Sequence, residues 1–450
     1  MRECRGAKGP FGEHGVALRA VLPDLPAGQD AAFLHLLTCP LCHASTVLLL
    51  EEETDDGEAP DYSLLWQQLD KRVPQLIEQA ADQMAEAAAL FQDLRAYPPG
   101  QQGKVFAEPR FHSRFLLDLL FEKSRAAQPL DPESAESLAA LAAQLGLRLF
   151  HDDPEGEEAA LCQARAANLA GNARRLRGQA KAAESALGTA AHFLAFTWGQ
   201  SVESVSLCRY LGLLRWEEGR LDEAEALLRQ SARGFGELMV PCEEAASRAL
   251  LGLLCLERNR TGRAIRLLQA SRQALDPEAR PWLTVRTGLS LALGLAEAGR
   301  SDQARQVLAE TARHAPWVTD EREETRLHWL EGRVLARLGQ PEEARRLLDT
   351  SRLHLISEYR LPEVVLCSLD LAVVLVATGR TSEVPRLLWD IEETFAAEPA
   401  LEVTRRMARD FSAASIGTSE VQPGYAAEAA FTLRRVFRLR GYRIEPLPFA

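Results

Sequence analysis

Two histidines and two cysteines lie within nine residues near the start of the chain, in the stretch HLLTCPLCH at positions 35–43. His35, Cys39 and Cys42 follow the spacing H-x3-C-x2-C. Residues four apart share one face of a helix, so His35 and Cys39 can converge, with Cys42 in the next turn or loop. Imidazole and thiolate are the ligands that tetrahedral zinc prefers. The stretch therefore predicts a zinc site.

A fourth zinc ligand must come from outside this triplet, and the candidates are His14, Cys4 and the adjacent His43. We favour His14, because a helix over about 13–22 can pack against the helix that carries His35, whereas His43 would strain the chelate. Four protein ligands would make the zinc structural. A metal-free remnant, a thioredoxin-like redox pair and chance clustering remain open, although no strand precedes the motif as a redox pair would require.

The amino-acid composition narrows the class of protein to which these residues belong. The 450 residues include 26% charged and only 6% aromatic side chains, which favours a helix-rich chain. A net charge of −12 argues against direct nucleic-acid binding, since phosphate partners need clustered Lys and Arg. Neither an apolar signal-peptide core nor a run of about 18 uncharged apolar residues is visible, so we expect a cytoplasmic protein without a membrane span.

The second half of the chain repeats every forty residues. The segments GRLDEAEALL, NRTGRAIRLL, GRSDQARQVL, GQPEEARRLL and GRTSEVPRLL begin at Gly219, Asn259, Gly299, Gly339 and Gly379. A weaker copy, GQAKAAESAL, begins at Gly178. Chance does not preserve such a register over 200 residues, so the pattern indicates a repeat array.

Each repeat reads as a helical hairpin. The turn residue can take positive φ and end the first helix. Seven residues earlier is a small side chain that lets two helices approach: Gly171, Gly212, Gly252, Ala292, Gly332 or Ala372. Five residues after the turn is Ala183, Ala224, Ala264, Ala304, Ala344 or Val384, and nine after it a leucine: Leu187, Leu228, Leu268, Leu308, Leu348 or Leu388. Such hairpins bury their apolar faces by stacking on their neighbours.

The pattern small-x6-Gly-x4-Ala-x3-Leu resembles the tetratricopeptide repeat (TPR). The resemblance implies an all-α fold, an α-solenoid of about six TPR-like hairpins. The forty-residue period exceeds the usual unit of about 34 residues, and the usual tryptophan near the start of the first helix is missing.

The predicted organisation has five parts. Residues 1–50 form a small helical zinc-binding-like module, 51–61 (EEETDDGEAPD) an acidic linker, 62–154 a helical N-terminal region, 155–398 the TPR-like repeats and 399–450 a C-terminal helical cap. Within the helical region, the Pro- and Gly-rich stretch 96–109 predicts a loop. The apolar stretch 364–379 predicts a buried helix.

The sequence HLLTCPLC also resembles the zinc-binding anti-sigma domain at the N-terminus of many bacterial anti-sigma factors. This resemblance covers about the first 50 residues. It implies that His35, Cys39 and Cys42, with His14 as the upstream ligand, hold Zn²⁺ and that the module clasps a sigma factor.

In TPR arrays the first helix of each hairpin lines the concave face. The corresponding positions here are Arg209, Leu213 and Trp216; Ala249, Leu253 and Leu256; Arg286, Leu289 and Leu293; Arg326, Trp329 and Arg333; and Leu366, Leu369, Val373 and Val376. This apolar face with a few arginines predicts an amphipathic partner segment of another regulator, anchored by Trp216 and Trp329. The alternative is that a tightly wound superhelix buries these residues itself.

The common phosphate-loop, zinc-protease, serine-hydrolase and dinucleotide motifs are all missing from the sequence, so we expect no enzyme. The leading hypothesis is a bacterial cytoplasmic regulator that sequesters a sigma factor through its zinc module and receives a second partner on its TPR solenoid. The alternative is a general TPR scaffold that assembles a protease or signalling complex, with a purely structural zinc module.

Overall fold

The computed structural model describes residues 63–128, 131–154, 156–275, 277, 281–314, 321–358, 360–384 and 386–387. Every regular element within these residues is helical, as the repeat pattern predicts. The predicted zinc module, the acidic linker and the C-terminal cap lie outside them. Across the described part of the chain, no helix has the length and apolarity needed to cross a bilayer.

Helices α1 to α15 span, in order, Ser63–Ala96, Pro99–Gln102, Arg114–Ala127, Pro132–Leu149, Glu157–Leu176, Ala180–Leu194, Val202–Glu217, Leu221–Glu237, Pro241–Glu257, Thr261–Ala274, Pro281–Glu297, Ser301–Ala312, Glu321–Arg337, Pro341–Ser357 and Leu361–Ala377. Short 3-10 helices lie at Gly103–Ala107, Pro109–Phe111 and Thr381–Glu383. The chain divides into two compact units. Among the described residues, the first contains those up to Arg174 together with Ser185–Leu207, and the second contains Arg175–Glu184 and those from Cys208 to Leu387.

The first unit packs α1 on α3 and α3 on α4. Helix α3 starts where the Ser113 hydroxyl accepts the Leu116 N–H, and α4 starts where the Asp131 carboxylate accepts the Ser134 N–H. The stretch 96–109, predicted as a loop, instead forms α2 and a 3-10 helix. A proline at the first helical position suits α2, and the 3-10 helix places Val105 and Phe106 in the core.

The turns in the second unit take the conformation that the repeat requires. Five turn glycines have φ between 73° and 76°: Gly178, Gly219, Gly299, Gly339 and Gly379. The sixth turn residue, Asn259, has φ 56°. Asparagine tolerates the left-handed region better than most residues, which explains its substitution for glycine there. The predicted positive-φ turn is therefore confirmed at all six positions.

The two helices of a hairpin touch at the predicted small residue. A Cβ at Gly252 would lie 2.8 Å from Cγ of Leu268, and a Cβ at Gly332 would lie 2.9 Å from Cγ of Leu348. Both leucines are fully buried. The leucine occupies the space that a larger side chain at the glycine would need, so the pair sets the spacing between the helices.

Successive hairpins then share a core. Helix α9 packs on α10, α10 on α11, α13 on α14 and α14 on α15. The predicted buried helix is α15, in which Val364, Val365, Leu366, Cys367 and Leu369 are all buried. The hairpin face that each repeat leaves apolar is thus covered by the next repeat, as expected for a linear array.

Replacing Leu348 by alanine should destabilise the chain by about 2–5 kcal/mol, because truncating this buried side chain leaves a cavity between α13 and α14. Leu353 lies on the same helix α14 and is 56% exposed, so Leu353→Ala serves as the matched control. Urea denaturation of the full chain, followed by circular dichroism, measures both. Equal midpoints for the two variants would contradict the assigned packing.

Candidate functional site

The first helices of the hairpins in the second unit carry the predicted partner-binding residues. On these helices Arg209, Leu213, Trp216 and Trp329 are buried, whereas Leu253, Arg326 and Arg333 are half-buried. The predicted set is therefore divided between residues inside the hairpin stack and residues that keep an accessible surface.

Both tryptophans use their polar atom inside the repeat array. The Trp216 Nε1–H donates to Oε2 of Glu257 at 2.7 Å, and the Trp329 Nε1–H donates to Oδ2 of Asp370 at 2.8 Å. In each pair the acceptor follows the donor by 41 residues, so it belongs to the next hairpin. The indoles thus tie one hairpin to its successor.

Arg209 is also committed to an internal contact. Its guanidinium pairs with the buried carboxylate of Glu243 on α9, and its Cζ lies 5.1 Å from the centroid of the Phe235 ring. Burial works to lower the pKa of Arg209, but the carboxylate of Glu243 and the hydroxyl of Tyr210 outweigh it, so the pKa is raised. The side chain remains a cation within the stack.

The accessible part of this surface consists of half-buried residues on α9, α11, α13 and α15. We call it the first-helix face, and it comprises Leu253, Leu256, Arg286, Arg326, Arg333, Val373 and Val376. Arg333 lies 3.7 Å from Asp370, which also accepts the Trp329 N–H. The face carries leucines on α9, arginines on α11 and α13, and valines on α15. Such a surface suits a partner segment that carries both apolar and acidic side chains.

The predicted zinc ligands His14, His35, Cys39 and Cys42 lie outside the described residues, so the zinc site stays a prediction. Within the described ranges, no group of three or more His, Cys, Asp or Glu side chains is placed to hold a metal. The cysteines of the repeats are single, and Cys162, Cys255 and Cys367 are buried. Burial raises the pKa of the Cys162 thiol to about 12, which keeps it protonated at neutral pH.

The second unit also contains a charged cluster that the sequence pattern does not predict. The buried carboxylate of Glu225 on α8 accepts hydrogen bonds from four arginines. The donors are Arg229 on α8, Arg258 and Arg260 in the turn between α9 and α10, and Arg263 on α10. The sequence contains one indication of this cluster. Residues 258–275 include five arginines and no Asp or Glu, although the whole chain has a net charge of −12.

No protein-family model matches the chain, and no curated protein matches it. Among solved structures it is similar to a Rap protein complexed with Competence and Sporulation Factor, with a TM-score of 0.50 and 11% identity over 72% of this chain and 88% of that one. It is also similar to Aspartyl phosphate phosphatase F from Bacillus subtilis, with a TM-score of 0.46 and 11% identity over 82% and 95% of the two chains. A third similar structure is the Rap conjugation gene regulator of the plasmid pLS20 in complex with the Phr* peptide, with a TM-score of 0.44 and 13% identity over 73% of this chain and 98% of that one. At these identities the similarity shows the fold alone, and it agrees with the predicted α-solenoid.

One prediction is corrected by these comparisons. We expected no enzyme because the common catalytic motifs are missing, yet one of the similar structures is named a phosphatase. The prediction of a non-enzyme, drawn from the missing motifs, is therefore wrong as an exclusion.

Replacing Arg209 by methionine should destabilise the chain by about 3–5 kcal/mol, because it takes the guanidinium away from a carboxylate that stays buried. The double variant Arg209→Met, Glu243→Gln removes that charge as well and should recover most of the loss. Thermal denaturation of the full-length variants measures both changes. If the single variant unfolds at the wild-type temperature, the pair does not stabilise the stack.

Proposed function

We propose that the chain is a regulatory protein that binds a segment of a protein partner on the first-helix face of its hairpin repeats. The observation that carries the proposal is the composition of that face, where apolar groups and guanidiniums remain accessible although the tryptophans are buried. The solved Rap protein of similar fold, which is complexed with Competence and Sporulation Factor, supports it.

The apolar residues and the arginines of the face would contribute to binding in different ways. Leu253, Leu256, Val373 and Val376 would cover apolar side chains of the partner, which supplies most of the favourable free energy. The guanidiniums of Arg326 and Arg333 would pair with its acidic groups and set its register. Partner recognition would thus need an amphipathic segment with a negative charge rather than a purely apolar one.

A finer part of the proposal concerns the N-terminal stretch. His35, Cys39, Cys42 and His14 would hold a structural Zn²⁺, and the module so formed would sequester a sigma factor. The H-x3-C-x2-C spacing supports this part. The second candidate is a scaffold in which the zinc module only stabilises its own fold, while the repeats assemble a protease or signalling complex.

The first-helix face is tested by affinity capture from the native host with the full chain as bait. The variant Leu253→Glu, Val373→Glu places two carboxylates on the face and should abolish capture of the specific partner, because apolar burial is lost and acidic groups are repelled. Leu353→Glu, which changes an exposed leucine on the second helix α14, is the matched control. Capture that is equal for all three baits would contradict the assigned face, provided that circular dichroism shows intact helices.

The zinc module is tested separately with the double variant Cys39→Ser, Cys42→Ser. We expect one equivalent of zinc per wild-type chain by elemental analysis, and none in the variant. A sigma factor identified by mass spectrometry with the wild-type bait and lost with the variant would support sequestration. Identical partners for both baits would favour the scaffold, and a zinc-free wild-type chain prepared under reducing conditions would refute the metal site.

A further inference from the structure

The five side chains Glu225, Arg229, Arg258, Arg260 and Arg263 form a compact charged group, which we call the Glu225 cluster. Each arginine places a nitrogen 2.7 or 2.8 Å from a carboxylate oxygen of Glu225. Arg258 also lies 2.6 Å from the exposed carboxylate of Asp222. Four guanidiniums thus face two carboxylates, and two positive charges are left in excess.

Part of this arrangement is structural. Helix α10 has no acidic residue in its first turn, although the positive end of the helix dipole favours one there. The Glu225 carboxylate, which belongs to the preceding hairpin, supplies that charge and is held by Arg260 and Arg263 at the start of α10. One or two arginines would suffice for this purpose. The four that are present need a further explanation.

The preceding repeat provides a comparison. Glu184 occupies the same position, six residues after the turn glycine, as Glu225 does in its own repeat. Glu184 is 52% exposed and pairs with a single arginine, Arg215, whereas only 7% of the Glu225 side chain is exposed. A simple ion pair therefore satisfies the repeat at this position, and the concentration of arginine is particular to the Glu225 cluster.

The cluster keeps unused hydrogen-bond donors at its outer side. Arg229 and Arg260 are 47% and 45% exposed, and each binds Glu225 through a single nitrogen. A guanidinium has five N–H donors in a planar fork. Arg233 and Arg266 continue the basic surface by one turn along α8 and α10, and both are exposed without a hydrogen-bond or ion-pair partner in the described part of the chain.

We propose that the Glu225 cluster, extended by Arg233 and Arg266, binds the phosphoryl group of a phosphorylated protein segment. A phosphate monoester carries a charge of about −1.5 to −2 at neutral pH, which matches the excess of the cluster. Its oxygens accept the bidentate hydrogen bonds that guanidinium forks offer. The exposure of the arginines favours a phosphoryl group presented by a partner chain over a small phosphorylated ligand, which generally needs concave burial. This site lies on the second helices α8 and α10 and on the turn before α10, and it does not include residues of the first-helix face.

The test is fluorescence anisotropy with the full chain and a labelled peptide that carries one phosphoserine among neutral residues. The unphosphorylated peptide, a peptide with Glu at the same position, inorganic phosphate as a competitor and a single-stranded RNA of equal length complete the set. We expect the phosphopeptide to bind more tightly than the other two peptides. Excess inorganic phosphate should displace it.

The variant Arg229→Gln, Arg260→Gln should weaken phosphopeptide binding about tenfold or more, since two charge-assisted contacts are lost. Arg258 and Arg263 remain to hold Glu225, so the stack should keep its stability. Arg233→Gln, Arg266→Gln changes two exposed side chains without partners and should weaken binding to a smaller degree. The matched control is Arg305→Gln, Arg346→Gln, which makes the same charge change on α12 and α14 and should leave binding unchanged.

Three outcomes would overturn the proposal. They are the absence of binding by the wild-type chain, equal affinity in the cluster variant and the control, and RNA binding as tight as phosphopeptide binding. The last result would assign the arginines to general polyanion attraction, which is independent of a phosphorylated side chain.

Discussion

The close contact between a glycine of the first helix and a leucine of the second is the constraint on which the repeat array depends, and it is present at Gly171, Gly212, Gly252 and Gly332. At Gly252 and Gly332 the helices approach so closely that the leucine of the partner helix takes the place of a Cβ. The glycine and the leucine therefore set how closely the two helices approach at this point. A repeated distance gives a repeated hairpin, and repeated hairpins can share a core along the chain.

That packing determines which polar side chains remain available for function. Because neighbouring hairpins are in close contact, a long polar side chain on a first helix reaches the next hairpin, and there it finds a carboxylate. Trp216 meets Glu257, Trp329 meets Asp370, Arg209 meets Glu243 and Arg175 meets Glu217. Buried donors and cations need such partners. Residues that look like binding anchors in the sequence therefore serve first as links between repeats.

The local distribution of charge in the second unit differs from what the negative net charge of the chain suggests. Three arginines of the second helices α12 and α14 pair with an acidic residue three positions away: Arg305 with Asp302, Arg345 with Glu342 and Arg346 with Glu343. Helix α10 contains no acidic residue, and its Arg263 pairs with Glu225 of the preceding hairpin, as do Arg258 and Arg260 of the turn before it. A chain of net charge −12 thereby acquires a locally basic surface, and long-range attraction of anions there would not follow from the overall charge.

The sequence by itself determined the helical class, the forty-residue period, the positive-φ turns and the contact between small residue and leucine. These features depend on local conformational preference and on side-chain size, both of which recur at fixed positions and can be read without coordinates. It also identified α15 as a buried helix, from its apolar composition. It missed the short helices at 99–107, because proline and glycine mark loops and helix starts alike.

Only the tertiary structure decided which first-helix residues are buried and which stay accessible. Trp216 and Leu253 belong to the same predicted face. Trp216 is buried and donates to the carboxylate of Glu257, 41 residues away, whereas Leu253 is half-buried. The gathering of four arginines on Glu225 was equally hidden, because Arg229 and Arg263 are 34 positions apart and meet through hairpin stacking. Pairings across repeats depend on the rotation and spacing of whole helices, and the local pattern of a single repeat does not contain that information.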